Sequence, residues 1–342
     1  MRIHLMGANH SRTPFAYPVY RSLFERRFTY VQDPAEADTI IFSYARNLSE
    51  SGGRLQALIR AKPDLKVIVV SEEPLWDTTN SGDFRKRHNV MALPDGHIPY
   101  SVINHHTSQV YAFRRFPYFV TTDDQFYLRY SRAFSENARE TPKALLHSWE
   151  AAPIRYAFFA ENRNLEKKYS VSWPEIATWG LSVYRTDVAK GMPDKGTMRV
   201  GAGWSSTTIR QQLPDWHLDK LTTLRGRSMI ISAIENTNQR DYVSEKIFDA
   251  FAARGIPLYW ASPNHRVDQI APPESYLNLY DLAPSAAVEK IVAFAPDLAV
   301  AEAHMEAQRR LAERFRHYDD FLDERFAFAE RLSDEVFMIV NE

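Results

Sequence analysis

The sequence predicts a two-domain α/β protein in which each domain is built on a parallel sheet. Three short apolar, β-rich runs open the chain, at 3–6, 39–43 and 67–70, and segments long enough for crossover helices separate them. A second alternating series begins at Tyr156. With 342 residues the chain is longer than a domain with a single hydrophobic core usually is, and its length suits two domains of common size.

The first half of the chain predicts a ligand site after its third strand. Helices are predicted at 17–28 and 55–61, between the three strands, and this alternation favours parallel pairing. Ligands of such sheets bind beyond the carboxyl ends of the strands. The predicted fold by itself therefore makes the residues that follow Val70 candidates for ligand contact.

The stretch between the two series is predicted to be irregular. It runs from 77 to about 150 and is rich in turn residues and aromatics. The domain boundary is placed in its polar, proline-containing end at 137–153. The prediction is therefore an N-terminal domain at 1–150 and a C-terminal domain at 151–342.

The second half repeats the strand–helix alternation and ends in helices. Strands are predicted at 156–160, 198–201, 229–234 and 257–261, and helices at 176–189 and 243–254. Beyond 285, apolar residues recur three and four apart, as in amphipathic helices. We expect the apolar faces of these last helices to pack in a core.

Composition excludes several classes of protein. The chain is 44% hydrophobic and 25% charged, as soluble globular proteins are, and its net charge is −1, which disfavours a nucleic-acid binder. It has no cysteine, so disulfides and thiolate metal sites are excluded. Neither a signal-peptide core nor a membrane span stands out, so a cytoplasmic location is expected. Basic patches at 85–87 and 309–310 leave open a peripheral contact with a membrane surface.

The segment ENTNQRDYVSEK, at 235–246, carries the clearest chemistry. It follows a predicted buried strand, and Ser244 or Asp241 could cap the helix that starts there. Backbone N–H groups and the positive end of the helix dipole would then favour an anion, beside the charge of Lys246. Tyr242 offers a flat face for a base or ribose, and Glu245 a carboxylate for sugar hydroxyls or a cationic transition state. The alternative is an ordinary strand–loop–helix with surface charges.

No metal site is predicted. The acid pairs at 123–124 and 319–320 follow no convincing strand end, and they are interpreted as surface groups. The histidine pair at 105–106 has no further ligand at metal-like spacing. His105 is kept as a candidate contact for an acceptor, beside the alternative of a surface pair.

Several short patterns in order resemble the α-1,3/1,4-fucosyltransferases, the bacterial enzymes of glycosyltransferase family 10 especially. The patterns are strand-ENT, then YVSEKIFDAFAARGIPLYWASP, then SYLNLYDL, and the close match runs over 229–278. The resemblance implies a GT-B fold, with two Rossmann-like domains facing each other across a cleft. The C-terminal domain would hold GDP-fucose, and the last helix would cross back to the N-terminal domain.

The resemblance also implies roles for residues of the C-terminal domain. Arg185, in YRTDVAKG ahead of a glycine-containing strand end, would clamp the diphosphate, a role that suits the planar guanidinium. Asn236 would hold ribose or phosphate, and Tyr242 would contact the nucleoside. Glu245 would steady an oxocarbenium-like transition state, and Lys246 would neutralise the departing GDP. The fallback candidates for the clamp are Arg225 and Arg227.

The catalytic base implied by the resemblance is Glu72. The family has a strand that ends in T-G-E-N, and the corresponding residues here are V-S-E-E, so only the glutamate is kept. The site nevertheless coincides with the strand end that the sheet argument selects. Glu73 is the rival for the role or a contact of the acceptor, and a solvated pair of glutamates is the alternative to both.

The reaction implied is an inverting transfer of L-fucose from GDP-fucose, with release of GDP and without a metal or other cofactor. The acceptor would be a galactosyl or N-acetylglucosaminyl unit of an oligosaccharide or lipopolysaccharide, most simply in an α-1,3 linkage. Three alternatives remain open. They are another nucleotide-sugar donor on the same fold, a non-catalytic nucleotide- or glycan-binding protein, and an oligomeric scaffold that uses the C-terminal helices.

Overall fold

The computed structural model describes residues 1–75, 83–93, 96–204 and 213–342, with the backbone alone at 166–167. The chain divides into two units. Unit 1 comprises Met1–Asp124 together with Asp319–Glu342, and unit 2 comprises Gln125–Tyr318.

Unit 1 contains a six-stranded sheet in the order β2-β1-β3-β4-β6-β5. Its strands are β1 (Arg2–Met6), β2 (Thr29–Tyr30), β3 (Thr39–Phe42), β4 (Lys66–Val70), β5 (His88–Leu93) and β6 (Gly96–Ile103). All neighbours pair in parallel except β5, which forms an antiparallel hairpin with β6. The helices of this unit are Pro18–Phe24, Ala45–Glu50, Gly52–Ala61 and Tyr318–Asn341.

The core of unit 1 explains the apolar runs at its start. Every residue of β3 is buried, as expected of a strand that is covered on both faces of a parallel sheet. The last helix contributes Phe328, Leu332 and Val336 to the same core as Ile68 of β4. These helix residues lie four apart and so share one face. That apolar face makes the C-terminal helix an integral part of unit 1.

Unit 2 contains a five-stranded parallel sheet in the order β10-β7-β11-β13-β14 and a small antiparallel sheet in the order β12-β9-β8. The strands are β7 (Ile154–Phe159), β8 (Ser172–Trp173), β9 (Thr178–Gly180), β10 (Thr197–Val200), β11 (Ser228–Ser232), β12 (Thr237–Asn238), β13 (Ile256–Tyr259) and β14 (Leu277–Asn278). The helices are Asp124–Asn137, Pro142–Glu150, Glu166–Tyr169, Ser182–Gly191, Trp216–Leu224, Glu245–Ala252, Pro284–Ala293 and Leu298–Arg314. Two parallel-sheet units and C-terminal helices confirm the predicted fold class.

The stretch predicted as irregular is largely regular where the structure describes it; residues 76–82 and 94–95 lie outside the described residues. The hairpin of β5 and β6 and the helices Asp124–Asn137 and Pro142–Glu150 fall within it. Thr141 caps the second helix, because its side chain accepts from the Ala144 N–H at 3.2 Å and proline occupies the first turn. The irregular structure predicted for this stretch is therefore wrong, although Thr141 and Pro142 are recognisable signals for the start of a helix.

The helix predicted at 176–189 begins later, at Ser182. Thr178–Gly180 before it is strand β9, which pairs in antiparallel fashion with β8 and β12. The Leu181 N–H then donates to the Asn236 carbonyl at 2.8 Å. Pairing with the neighbouring β8 and with the distant β12 therefore overrides the helical pattern at these residues.

The two units meet in the chain at Asp124 and Gln125, whereas the sequence placed the boundary at 150. The helix Pro142–Glu150 packs in the core of unit 2, to which it contributes Leu145 and Trp149. The last helix, expected to cross back to the first domain, belongs to unit 1.

A histidine lies in the core of unit 2. His304 is fully buried, with ring centroids 5.2 Å from Trp149 and 4.9 Å from Phe251. Neither ring nitrogen has a hydrogen-bond partner among the described residues. Burial lowers the pKa of His304 to about 3, so the imidazole is neutral at ordinary pH.

Candidate functional site

A cavity lies within unit 2, beyond the carboxyl ends of β7 and β11. It holds about 670 Å³ of empty space, part of it open to solvent. Four of the predicted donor residues line it: Arg185, Asn236, Glu245 and Lys246. They come from three separate segments of the chain, which the parallel sheet brings to one edge.

The helix start at this edge is capped as the sequence suggested. Ser244 is the N-cap of Glu245–Ala252, and its hydroxyl accepts from the Lys246 N–H at 3.4 Å. Asp241 instead pairs with Arg266, with Nη1 and Oδ1 3.1 Å apart. Of the two candidate caps, the structure therefore selects Ser244.

The anion at this helix start is a residue of the protein itself, Glu235. Its carboxylate accepts from the Ser244 N–H at 2.8 Å and from the Lys246 ammonium at 2.9 Å. The Ser244 hydroxyl lies 2.7 Å from the same carboxylate. The prediction of free N–H groups at this helix start was therefore wrong for Ser244. From the sequence, Glu235 was placed after a predicted strand and was assigned no role.

Glu235 and Lys246 form a nearly buried ion pair. The Glu235 side chain is 1% exposed and that of Lys246 is 20% exposed. Burial raises the pKa of the Glu235 carboxyl, while Lys246 opposes the rise. Burial disfavours the charged form of Lys246, but Glu235 and Glu245 together raise its pKa above the ordinary value. Lys246 therefore brings a full positive charge to the cavity wall.

Arg185 supplies a second charge to the same wall. Its Nη1 donates to the Ile234 carbonyl at 2.9 Å, and both terminal nitrogens lie 3.3 Å from Asn236 Oδ1. The side chain is buried, and its Nε has no acceptor among the described residues. Burial, with the nearby charge of Arg163, lowers the pKa of Arg185 to about 10, so it stays charged at neutral pH.

Two more cations line the cavity, and the sequence did not single them out. Arg163 follows β7 and pairs with Glu161 at 2.9 Å, and Lys220 pairs with Asp249 at 3.2 Å. The position of Arg163 after a predicted strand end was the available signal. Among the described lining residues, four are Lys or Arg and three are Asp or Glu, so the wall carries an excess of one positive charge.

Tyr242 lies outside this cavity wall. Its side chain is 1% exposed, so its ring presents no face to the cavity, contrary to the expected contact with a nucleoside. Aromatic faces come instead from Phe159 and Trp216, whose ring centroids are 5.7 Å apart. Tyr242 is therefore buried beside the helix start and is not among the residues that line this cavity.

The predicted base, Glu72, lies in unit 1 just after β4 and is fully buried. Its Oε1 accepts from the Tyr17 hydroxyl at 3.0 Å and from Arg12 Nε at 3.3 Å. Its Oε2 accepts from the Tyr118 hydroxyl at 3.0 Å. Burial raises the pKa of Glu72, and Arg12 opposes the rise while Glu73 adds to it. The result is a carboxylate with a raised proton affinity, as a general base requires.

The groups around Glu72 were not predicted from the sequence, since they come from distant segments. Arg12 Nη2 also lies 3.4 Å from Glu73 Oε1, so one guanidinium spans both glutamates. The Arg12 side chain is 46% exposed, whereas that of Glu73 is 10% exposed. Arg12 is thus the solvent-facing group of the cluster.

His105 is connected to this cluster through aromatic rings. It is buried and stacks on Tyr111 at 4.1 Å, and Tyr111 meets the ring of Tyr118 edge-on at 5.4 Å. Burial holds the pKa of His105 well below its usual range. It is therefore not the surface residue that the sequence offered as an alternative.

Neither a metal cluster nor a membrane span is seen in the parts of the chain that the structure describes. No group of three or more His, Asp or Glu side chains there could hold a metal ion. No helix there is long and apolar enough to cross a bilayer.

Part of the chain is similar in sequence to a known family of proteins. Residues 176–302 match the model of the family described as Glycosyltransferase family 10 (fucosyltransferase) C-term. The alpha-(1,3)-fucosyltransferase FucT of Helicobacter pylori is 45% identical over 47 residues, which are 14% of this chain and 9% of that protein. The match thus spans less than a tenth of the length of that curated relative.

Two solved structures are similar to most of this chain at low identity. One is an α1,3-fucosyltransferase with GDP-fucose, at 16% identity and a TM-score of 0.40, covering 95% of this chain and 81% of that one. The other is an α1,3-fucosyltransferase at 14% identity and a TM-score of 0.42, covering 90% of this chain and 80% of that one.

Proposed function

We propose, on the premise that residues 176–302 of this chain belong to glycosyltransferase family 10, that the protein is a fucosyltransferase with GDP-fucose as its donor. The observation that carries the proposal is the cavity of unit 2. Arg185 and Lys246 charge its wall, and both belong to the segment that matches the family. A diphosphate is the part of a nucleotide sugar that such a wall recognises.

Each donor-binding residue is proposed to act on a different part of GDP-fucose. Arg185 and Lys246 take the diphosphate and neutralise the charge that develops on it as GDP departs. Asn236, held against Arg185, accepts or donates to the ribose or a phosphate. Glu245 steadies the positive charge that develops on the sugar ring. Tyr242 supports the helix start from the core rather than touching the nucleoside.

Glu72 is proposed as the general base. It takes the proton of the acceptor hydroxyl, whose oxygen forms the new bond to the anomeric carbon as the bond from that carbon to GDP breaks. Attack on the face opposite the leaving group inverts the anomeric centre. Because Glu72 is fully buried, Arg12 must shift before a hydroxyl can reach Oε1, and its exposure leaves it room to do so. Glu73 is the alternative base.

The acceptor proposed is a galactosyl or N-acetylglucosaminyl unit of an oligosaccharide or lipopolysaccharide, joined through an α-1,3 linkage. The single experiment that tests the donor assignment is calorimetric titration with GDP in the presence of EDTA. Binding is expected without a metal, because Arg185 and Lys246 provide the positive charge. Lys246→Ala and Arg185→Ala are each expected to weaken it at least about tenfold, the worth of one charge-assisted hydrogen bond.

Arg225→Ala is the matched control, because Arg225 pairs with Glu136 at 2.8 Å and does not line the cavity. Its affinity for GDP should equal that of the wild type. Tight binding that both lining variants retain would refute the site. Turnover is tested by GDP release from GDP-fucose, compared with GDP-mannose and UDP-sugars. Glu72→Gln should abolish release while GDP binding is kept.

A further inference from the structure

Glu235 provides a negative charge at the start of the helix Glu245–Ala252, between two cations of the cavity wall. It bonds to Lys246 at 2.9 Å, and its charge raises the proton affinity of Arg185. Its carboxylate is 1% exposed, so water cannot screen it. The ammonium of Lys246 and the N–H of Ser244 both donate to it, which is the hydrogen bonding of an ionised carboxylate.

A nucleoside diphosphate that binds Lys246 must share this ammonium with Glu235. The phosphate oxygens would then bring like charge to a carboxylate that has almost no contact with water. The other charged or titratable groups that face Glu235 are Glu245 on the helix that carries Lys246, Arg185 on Ser182–Gly191 and Tyr259 on β13. Glu245 repels it as well, and a nearby like charge favours the protonated form of a carboxyl.

We propose that Glu235 takes up one proton from solvent when a nucleoside diphosphate binds, and returns it when the diphosphate leaves. Protonation lets Lys246 turn its charge to the phosphate, while the neutral carboxyl keeps its acceptor contact with the Ser244 N–H. Glu235 is thus a positioning residue that acts through Lys246. The inference rests on the proposed function, because it needs the diphosphate to bind at Lys246.

The test is calorimetric titration of the wild-type protein with GDP in buffers of different ionisation enthalpy. The slope of the observed enthalpy against the buffer enthalpy gives the number of protons taken up per GDP. Working at about pH 8 keeps the terminal phosphate ionised, since its second pKa is about 6. A value close to one proton is expected. In parallel, the Kd should rise up to about tenfold per pH unit.

Glu235→Gln is expected to abolish the proton uptake and the pH dependence. At about pH 8 it should bind GDP more tightly than the wild type, because no proton has to be taken up. A merely structural role for Glu235 predicts the opposite, a loss of affinity with unchanged proton uptake. Glu161→Gln is the matched control: Glu161 also lines the cavity, but its side chain is 40% exposed, so its variant should keep the uptake.

Wild-type protein alone provides a second measurement if Glu235→Gln fails to fold. Adding GDP should produce the infrared carbonyl band of a protonated carboxylic acid. GDP binding without proton uptake and without this band overturns the inference and leaves the proposed function standing. Equal uptake in the wild type and Glu235→Gln also overturns it. Absence of GDP binding to the wild type refutes the proposed function, and the inference with it.

Discussion

Removing the ammonium of Lys246 tests the ion pair that it forms with the buried Glu235. Lys246→Met keeps most of the apolar stem but leaves Glu235 buried without its cation. Losing one partner of a buried ion pair costs about 3–5 kcal/mol. The lower end, about 3 kcal/mol, is expected here, because Lys246 is 20% exposed and Ser244 still donates to the carboxylate.

The companion variant Glu235→Gln should cost less, about 1–2 kcal/mol. In this variant Lys246 remains partly exposed to solvent, and it keeps Glu245 as a partner, with Oε1 3.7 Å from Nζ. The double variant Lys246→Met, Glu235→Gln should be about as stable as Glu235→Gln alone. The coupling energy in this cycle is therefore expected to equal the cost of Lys246→Met alone, about 3 kcal/mol.

The stability that Lys246→Met loses should depend on pH, and the burial of Glu235 decides whether the loss grows or shrinks as pH rises. Burial raises the pKa of Glu235 in the folded protein above its unfolded value, and the rise is larger once Lys246 is gone. The folded state then binds the proton more tightly than the unfolded state, so stability falls as pH rises through this range. The destabilisation should be small at about pH 5 and complete at about pH 8.

Urea unfolding followed by circular dichroism measures all four proteins at both pH values. GDP titration of the same proteins separates stability from function, since the double variant should regain stability without regaining affinity. The reasoning is refuted if Lys246→Met loses the same free energy of unfolding at both pH values. It is equally refuted if the double variant is less stable than Lys246→Met.

Three further predictions test other parts of the molecule. Tyr118→Phe removes a donor to Glu72, so the pKa of that base should rise and the acid limb of the turnover–pH profile should move to higher pH, with GDP affinity unchanged. The wild type should lose up to about 1.4 kcal/mol of stability per pH unit as pH falls from about 6.5 towards 3, because burial lowers the pKa of His304 in the folded protein. His304→Leu should abolish this loss, which urea unfolding measures. Gly201→Ala should cost about 1–3 kcal/mol and weaken GDP binding, because φ is 137° and a Cβ would lie 2.5 Å from a backbone oxygen. Its control, Gly53→Ala, has no atom within 4 Å of the added carbon and should stabilise the protein slightly in thermal unfolding.

The sequence predicted best where the chemistry is local. The apolar run that became β4 and a capped helix start at Asp241 or Ser244 depend on neighbouring residues, so both could be inferred from pattern. The choice of Ser244 as the cap came from the structure. Arg185 was found through a motif, and the fold places it on the cavity wall beside Lys246. The helix at 124–137 was missed, although its apolar residues recur at helical spacing, because the aromatics of that region were read as an irregular stretch.

The groups that tune each candidate site were beyond the reach of local patterns. Tyr17 and Tyr118 are separated from Glu72 by 55 and 46 residues in the chain, yet both donate to its carboxylate. Arg163 reaches the cavity because β7 and β11 lie side by side in the sheet, although β11 is far from β7 in sequence. Contacts of this kind depend on strand order, which no spacing of residue types encodes.

The segment 235–246 shows both sides of this division. Its residue types alone determined a charged helix start after a buried strand, because capping and the helix dipole act over a few residues. Only the tertiary structure decided how its charges are used. In the folded chain Glu235 is buried and bonds to Ser244 and Lys246, and Tyr242 is buried as well. The reason is physical: the cost of an unpaired charge depends on how much water the fold leaves around it, and that is set by distant parts of the chain.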